Sequence, residues 1–373
     1  MASRPSDILV VGAGIIGSAV AYELARRGAS VEVVDERPVG MGATQASAGV
    51  LAPYIEARED SPLLDLAVRS LKLYDDFIAR VTDDSGVAVT YRRTGTLDVA
   101  TDENELAALN AIASVLLRRH VPSLRLDAAS TRSEEPLLAD GVAGGLLIED
   151  HGFVAAAELT RALVAASRFH GGQLVEQSRV RRILRRGSEV VVETDRGSLT
   201  SGAVVLAAGT WSGGIDIDGV MTRVPVRPVR GQLLHLGWNE PALRRVTWSR
   251  RCYMVPWDDG TVLVGATAEE AGFDERATVS GVHDLLGAAC DLAPHAWAAS
   301  FRGVRVGLRP ATADALPIIG ASRKIPELMY ATGHFRNGIL LAPLTAQLVA
   351  DAMLDGKIDP LLERVKPSRF GDL

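Results

Sequence analysis

Three glycines near the N-terminus, Gly12, Gly14 and Gly17, follow the spacing G-x-G-x-x-G, and a carboxylate, Asp35, stands about 20 residues further on. Residues of these types in this order suit one task, holding the pyrophosphate and a ribose of a dinucleotide. Gly12 permits a tight turn, Gly14 lets a pyrophosphate approach the backbone, and Gly17 lets a helix pack on a strand. Asp35 offers an acceptor to a ribose hydroxyl and argues against a 2′-phosphate, because two anions would meet. Three spaced glycines alone are a weak signal. A buried strand–helix pair with incidental glycines is the bland alternative, and it leaves Asp35 unexplained.

The elements around these residues supply the context. Residues 8–11 are an apolar run suited to a buried parallel strand. The following helix keeps Ile16, Val20 and Leu24 at a spacing of four and ends at Gly28, a good left-handed cap. Its first amides, those of Ile15 and Ile16 among them, face the pyrophosphate. A second strand over 31–34 delivers Asp35. Arg4 before an apolar stretch would also suit a secretion signal, but Glu23, Arg26 and Arg27 on the same helix argue against one.

The chain of 373 residues is long enough for two domains. Hydrophobic residues make up 47% and charged residues 23%, which fits a soluble globular protein, and a net charge of −6 leaves no nucleic-acid footprint. Only four of the 40 basic residues are lysine, so the abundant arginines cannot each carry a role. Cys252 and Cys290 give neither a disulfide framework nor a metal spacing and read as inert small hydrophobes. The seven histidines form no H-x-x-H pair, and His151, after two acids, reads as a turn residue. No run outside the fingerprint is long enough to cross a bilayer, so a cytoplasmic location is expected.

Along the chain, helices are expected over 61–81, 103–119, 155–169, 281–292 and 338–354. Residues 94–100 and 142–148 read as strands, residues 180–200 as a three-stranded meander, and 203–209 as a separate buried strand. Residues 224–236 and 253–268 are strand-rich. The small-residue stretch from Gly42 to Pro53 reads as a loop in which backbone approaches a ligand. The alternation predicts a discontinuous α/β layout. Residues 1–85, 145–220 and 300–373 would build a dinucleotide domain, and 86–144 with 221–299 a smaller substrate domain.

Several further segments carry a resemblance: Ala48-Gly-Val-Leu51, Ala207-Ala-Gly-Thr-Trp-Ser212, Cys252-Tyr-Met-Val-Pro256, Gly265-Ala-Thr267, Gly307-Leu-Arg-Pro310 and Gly333-His-Phe-Arg-Asn-Gly-Ile-Leu-Leu-Ala-Pro343. Together with the fingerprint they resemble the D-amino acid oxidase superfamily of flavoproteins over nearly the whole chain, and within it the glycine oxidase branch. The resemblance implies a Rossmann-like FAD-binding domain with an antiparallel α+β substrate domain. It implies hydride transfer from a small amino acid to the flavin, with dioxygen as electron acceptor, and a product that serves thiazole synthesis. A homo-oligomer stays open. Nucleic acid and membrane partners are not implied.

The same resemblance places cofactor contacts at Gly12, Gly14, Ile15, Ile16, Gly17 and Asp35, at Thr44, Ala48, Gly49, Val50 and Leu51, and at Val180, Ala208, Gly209 and Trp211. A last group falls at Arg336, Asn337, Gly338, Ile339 and Leu340, where a helix N-terminus would favour negative charge on the reduced ring. Arg309 matches the arginine that binds the substrate carboxylate, and Tyr253 the tyrosine that assists it. The carbonyl of Arg336 would accept from the substrate amine, and its side chain would line the pocket or pair with an acid. His334 reads as a packing residue. Relatives that attach flavin covalently use a cysteine at the position of Gly307 or a histidine near the fingerprint. The first histidine here is His120, so the FAD is expected to be non-covalent. Ala268 stands where glycine oxidases carry a pocket-narrowing methionine, which predicts a roomier pocket. Alternatives on the same fold are a sarcosine-type or D-amino acid oxidase or dehydrogenase, and a non-catalytic flavin subunit of a hetero-oligomer. An NAD-dependent dehydrogenase would share only the fingerprint.

Overall fold

In the computed structural model, which describes residues 6–56, 61–238 and 240–373, the N-terminal apolar run is the strand Ser6–Val11. It pairs in parallel with Val31–Val34 on one side and with Gly197–Leu206 on the other. With neighbours on both edges and its inner residues buried, it reads as a continuous apolar run rather than an alternating one. The helix Ile15–Arg26 follows, and the chain leaves it through Gly28 at a left-handed φ of +94°. Arg4 lies outside the described residues.

Gly197–Leu206 is a single strand of ten residues where the sequence suggested two. Its first half closes the antiparallel meander with Glu189–Thr194, and its second half runs parallel to Ser6–Val11 and Leu328–Thr332. This nine-stranded sheet therefore draws on N-terminal, middle and C-terminal stretches.

A second sheet of eight strands runs from Ser300–Ala311 through Arg227–Gly237, Thr261–Gly265, Tyr253–Pro256 and Val246–Trp248 to Thr96–Ala100, Gly144–Ile148 and Leu124–Asp127. It is antiparallel apart from the parallel pairing of Val246–Trp248 with Thr96–Ala100. Gly144–Ile148 and Ser300–Ala311, which the expected divisions at 145 and 300 place mostly or wholly with the dinucleotide domain, are strands of this second sheet. Partners far away in sequence decide where these strands belong, and nothing local in them records it. A small three-stranded sheet of Val50–Leu51, Gly152–Val154 and Tyr91–Arg92 stands apart from both.

The stretch expected as one helix over 61–81 is two, Pro62–Lys72 and Tyr74–Ser85. Ser61 caps the first by accepting from the Leu64 amide at 3.3 Å. Both support the last helix, Gly338–Leu354, which is apolar almost all round and packs on Ile15–Arg26 and Pro62–Lys72. Pro343 sits inside that helix and cannot donate to the carbonyl of Ile339 four residues back. The hydroxyl of Tyr74 donates to it instead. The next amide, that of Leu344, donates to Ser70 Oγ at 3.3 Å. Side chains from the two preceding helices thus fix the first turns of the last one. No helix among the described residues is long and apolar enough to cross a membrane.

Candidate functional site

A cavity of about 550 Å³ is lined by residues of both sheets. All the candidate cofactor and substrate residues line it except Gly17, Leu51 and Ala268. Gly17 acts one layer behind: a Cβ there would stand 1.8 Å from the carbonyl oxygen of Gly12, so only glycine lets the helix close on the turn. Leu51 is buried in the main core. Strand alternation turns Val50 toward the cavity and Leu51 away from it.

Gly12 adopts φ +109°, and a Cβ on it would meet the Ala207 carbonyl oxygen at 2.5 Å. Gly14 differs: its nearest neighbour would be Thr44 Oγ1 at 3.5 Å, so its cavity side is open. Thr44 lies in the short 3-10 turn Ala43–Ala46 and accepts from the Ile15 amide at 3.1 Å. Asp35 takes the Ala13 amide on Oδ2 at 2.6 Å and the Arg37 amide on Oδ1 at 2.8 Å. Burial pushes its pKa up, and the two amides partly offset that. Each carboxylate oxygen keeps a second lone pair for a hydroxyl donor.

Two residues past Asp35, Arg37 forms a bidentate pair with Glu275, both contacts at 2.9 Å, and its guanidinium lies 4.3 Å from the centre of the Trp211 ring. The segment carrying Glu275 thereby reaches from the second sheet to the first. Among the described residues, four arginines, Arg37, Arg179, Arg309 and Arg336, line the cavity against two acids, Asp35 and Glu36. That balance suits an anionic ligand.

Arg309, also in the lining, projects from Ser300–Ala311, and its Nη1 donates to the Thr267 carbonyl at 2.8 Å. Tyr253 lies on Tyr253–Pro256, its ring stacked on Trp248 with centroids 4.6 Å apart. The start of Gly338–Leu354 faces the same space, with Gly338, Ile339 and Leu340 on the wall. Asn337 Oδ1 there is buried without a hydrogen-bond partner among the described residues. Arg336 is exposed at the cavity edge beside Phe335.

His334 lines the cavity but is buried, with Nε2 against Thr345 Oγ1 at 3.1 Å, and burial pushes its pKa down to about 3. It stays neutral and packs. His151 is not the turn residue expected. It is fully buried, stacked on Tyr54, with Nδ1 at 2.7 Å from Thr96 Oγ1, and is likewise held near 3 by burial. Cys252 is buried and its thiol is pushed up to about 11, which leaves it inert at neutral pH.

The expectation for Ala268 fails. Ala268 is exposed and does not line the cavity, whereas Ala266 does. The strand ends at Gly265, so its alternation is not carried on. Thr267 turns back to accept from the Gln232 amide at 2.9 Å and to donate to Glu269 at 2.6 Å, which sends Ala268 outward. Trp248 and Ala266 line the cavity instead. Sequence reasoning missed Arg37, Gly231 and Ala266. Gly231 did leave a signal, a lone glycine inside a strand pattern, which marks a close approach.

Among known proteins, the family described as FAD dependent oxidoreductase matches residues 7–352. The bifunctional protein ThiO/ThiG of Nostoc sp. is 35% identical over 97% of this chain, which spans only 55% of that relative. Glycine oxidase of Geobacillus kaustophilus is 33% identical over 92% of each chain. The crystal structure of glycine oxidase from that organism superposes with a TM-score of 0.92 over 96% of each chain, and that of iminodiacetate oxidase from Chelativorans with 0.87 at 28% identity, over 96% of this chain and 98% of that one.

Proposed function

The chain belongs to the family of FAD-dependent oxidoreductases, and we propose that it oxidises glycine or another small amino acid at Cα. The cavity fits the cofactor. Gly14 leaves its cavity side open at the helix start, the lining is rich in arginine, and the unpartnered Asn337 Oδ1 is an acceptor of the kind a ring N–H satisfies. Gly12, Gly14 and Asp35 would hold the pyrophosphate and ribose, and the run from Asn337 to Leu340 the flavin end. Bound here, FAD supplies a ring that takes a hydride from Cα and passes the electron pair to dioxygen.

The observation that carries the proposal is the placement of Arg309 in the cavity wall that also holds Tyr253 and the last helix's N-terminus. Its planar fork binds a carboxylate through two parallel hydrogen bonds, where lysine would offer a point charge. The Tyr253 hydroxyl adds a donor to the same carboxylate. The Arg336 carbonyl accepts from the substrate amine. Trp248 and Ala266 limit the room beside Cα. First-turn amides of Gly338–Leu354 favour negative charge near the helix start. No residue in this set needs to take the Cα hydrogen as a proton, so most of the rate comes from positioning.

With water, glycine and dioxygen give glyoxylate, ammonia and hydrogen peroxide. The intermediate imine, before hydrolysis, is the form a thiazole-forming partner would consume, and the ThiO/ThiG relatives support that use. Peroxide release measured with glycine, N-methylglycine, D-alanine, D-proline and L-alanine tests the substrate class. Arg309→Leu is expected to keep its flavin and to lose about 2–5 kcal/mol in kcat/KM. Wild-type kcat/KM in that variant would show that Arg309 is not the clamp.

A further inference from the structure

Two glycines lie under the two side chains to which the carboxylate is assigned. Gly231, in Arg227–Gly237, pairs directly with Gly307 on the strand that carries Arg309. A Cβ on Gly231 would stand 2.4 Å from Cζ, Nη1 and Nη2 of Arg309 alike. Equal distances to three atoms of one plane mean that the guanidinium lies flat over the glycine. Gly265 pairs directly with Tyr253, and a Cβ there would stand 2.4 Å from both Cζ and Oη of that ring. Neither glycine is in the left-handed region, so no positive φ requires it. Glycine inside a strand weakens it, so its presence at both places points to the space above.

We infer that Gly231 and Gly265 are positioning residues, a floor that sets the height at which the Arg309 fork and the Tyr253 hydroxyl meet the substrate carboxylate. The inference rests on the reading of Arg309 as the clamp. The three atoms nearest each added Cβ are the far end of a side chain, not backbone. An alanine at 231 therefore displaces the guanidinium and leaves the strand in place. To regain ordinary contact at 3.4 Å the guanidinium must lift by about 1 Å, a displacement that costs on the order of 10²-fold in turnover efficiency.

The test is a double-mutant cycle on the FAD-loaded protein with Gly231→Ala, Arg309→Ala and both together. Gly231→Ala is expected to keep the flavin spectrum and thermal midpoint of the wild type. Its KM for glycine should rise far more than its kcat falls, and acetate, an unreactive carboxylate, should bind more weakly. On Arg309→Ala the same change should alter kcat/KM by less than about twofold, because the group it displaces is gone. Equal losses in both backgrounds overturn the inference in favour of a general structural role. Wild-type kinetics in Gly231→Ala beside an impaired Arg309→Ala overturn the inference alone. Wild-type kinetics in Arg309→Ala overturn the clamp itself. Should Gly231→Ala lose its flavin, recovery of flavin in the double variant supports the floor, and no recovery counts against it.

Discussion

Tyr74→Phe isolates the contact that holds the last helix over the cavity. The Tyr74 side chain is fully buried and its hydroxyl donates to the Ile339 carbonyl, which Pro343 cannot serve. Removing the hydroxyl leaves a buried acceptor with no donor, which costs about 1–3 kcal/mol. In a Pro343→Ala background the new amide can reach Ile339, and the same substitution should cost only about 0.5–1.5 kcal/mol. The difference is the coupling energy of a second pair in direct contact. Urea unfolding of the FAD-loaded protein, followed by flavin and tryptophan fluorescence, measures both. With a slope of about 3 kcal/mol per molar, a loss of ~2 kcal/mol moves the midpoint down by ~0.7 M. Ile339 also lines the cavity, so the flavin signal should be lost no later than the tryptophan signal. An equal cost in the two backgrounds, or a single-variant cost under ~0.5 kcal/mol, would refute the replacement of the missing helix bond by Tyr74.

Other consequences are separable. Gly14→Ala should fold normally yet bind FAD poorly, because its cavity side is open, while Gly17→Ala should lose at least about 1–3 kcal/mol of stability through its overlap with Gly12; comparing melting curves with flavin content checks the contrast. His151 and His334 have pKa values near 3 when folded against about 6.5 unfolded, so the unfolded chain binds more protons as the pH falls below 6.5. Stability should therefore fall with falling pH in the window from about 6.5 to 3, by up to about 1.4 kcal/mol per unit for each histidine, and His334→Gln should flatten that slope in chemical unfolding curves. Arg37→Met should weaken FAD binding by about 1 kcal/mol, through the lost stacking on Trp211, and an unchanged dissociation constant would remove Arg37 from the site. Among the described residues His334 is the only histidine in the lining and no cysteine joins it, so acid precipitation should release the yellow colour into the supernatant; colour held in the pellet would mean a covalent bond.

Local chemistry was legible in the sequence where it repeats along the chain. Gly12 and Gly17 announced the tight turn and the helix packing because strand, glycines and helix follow one another within a few dozen residues. What depends on distant pairing was not. Gly197–Leu206 changes partners halfway along, and its apolar pattern carries no trace of the switch. The break at Leu73 between two helices leaves Leu64, Leu71 and Phe77 all buried, so the periodicity reads as continuous. Ser300–Ala311 could not be assigned to the second sheet until Arg227–Gly237 was seen beside it. In the cavity lining, Arg309 and Tyr253 were singled out through a family resemblance, but the placement of Gly231 and Gly265 beneath them depends on strand pairing and was not legible. Ala268 was misplaced because alternation was extended past Gly265, where Thr267 turns back onto Gln232.

The central claim is that the Arg309 wall and the flavin end of the cavity bind one small amino acid together. Its most direct test is anaerobic mixing of the purified yellow protein with glycine and, separately, with N-methylglycine and D-alanine, following the flavin absorbance. The account predicts rapid bleaching by at least one of them, recovery of colour with peroxide formation when air is admitted, and no comparable bleaching in Arg309→Leu. A flavin that none of these amines reduces, or one reduced equally fast in Arg309→Leu, would contradict it.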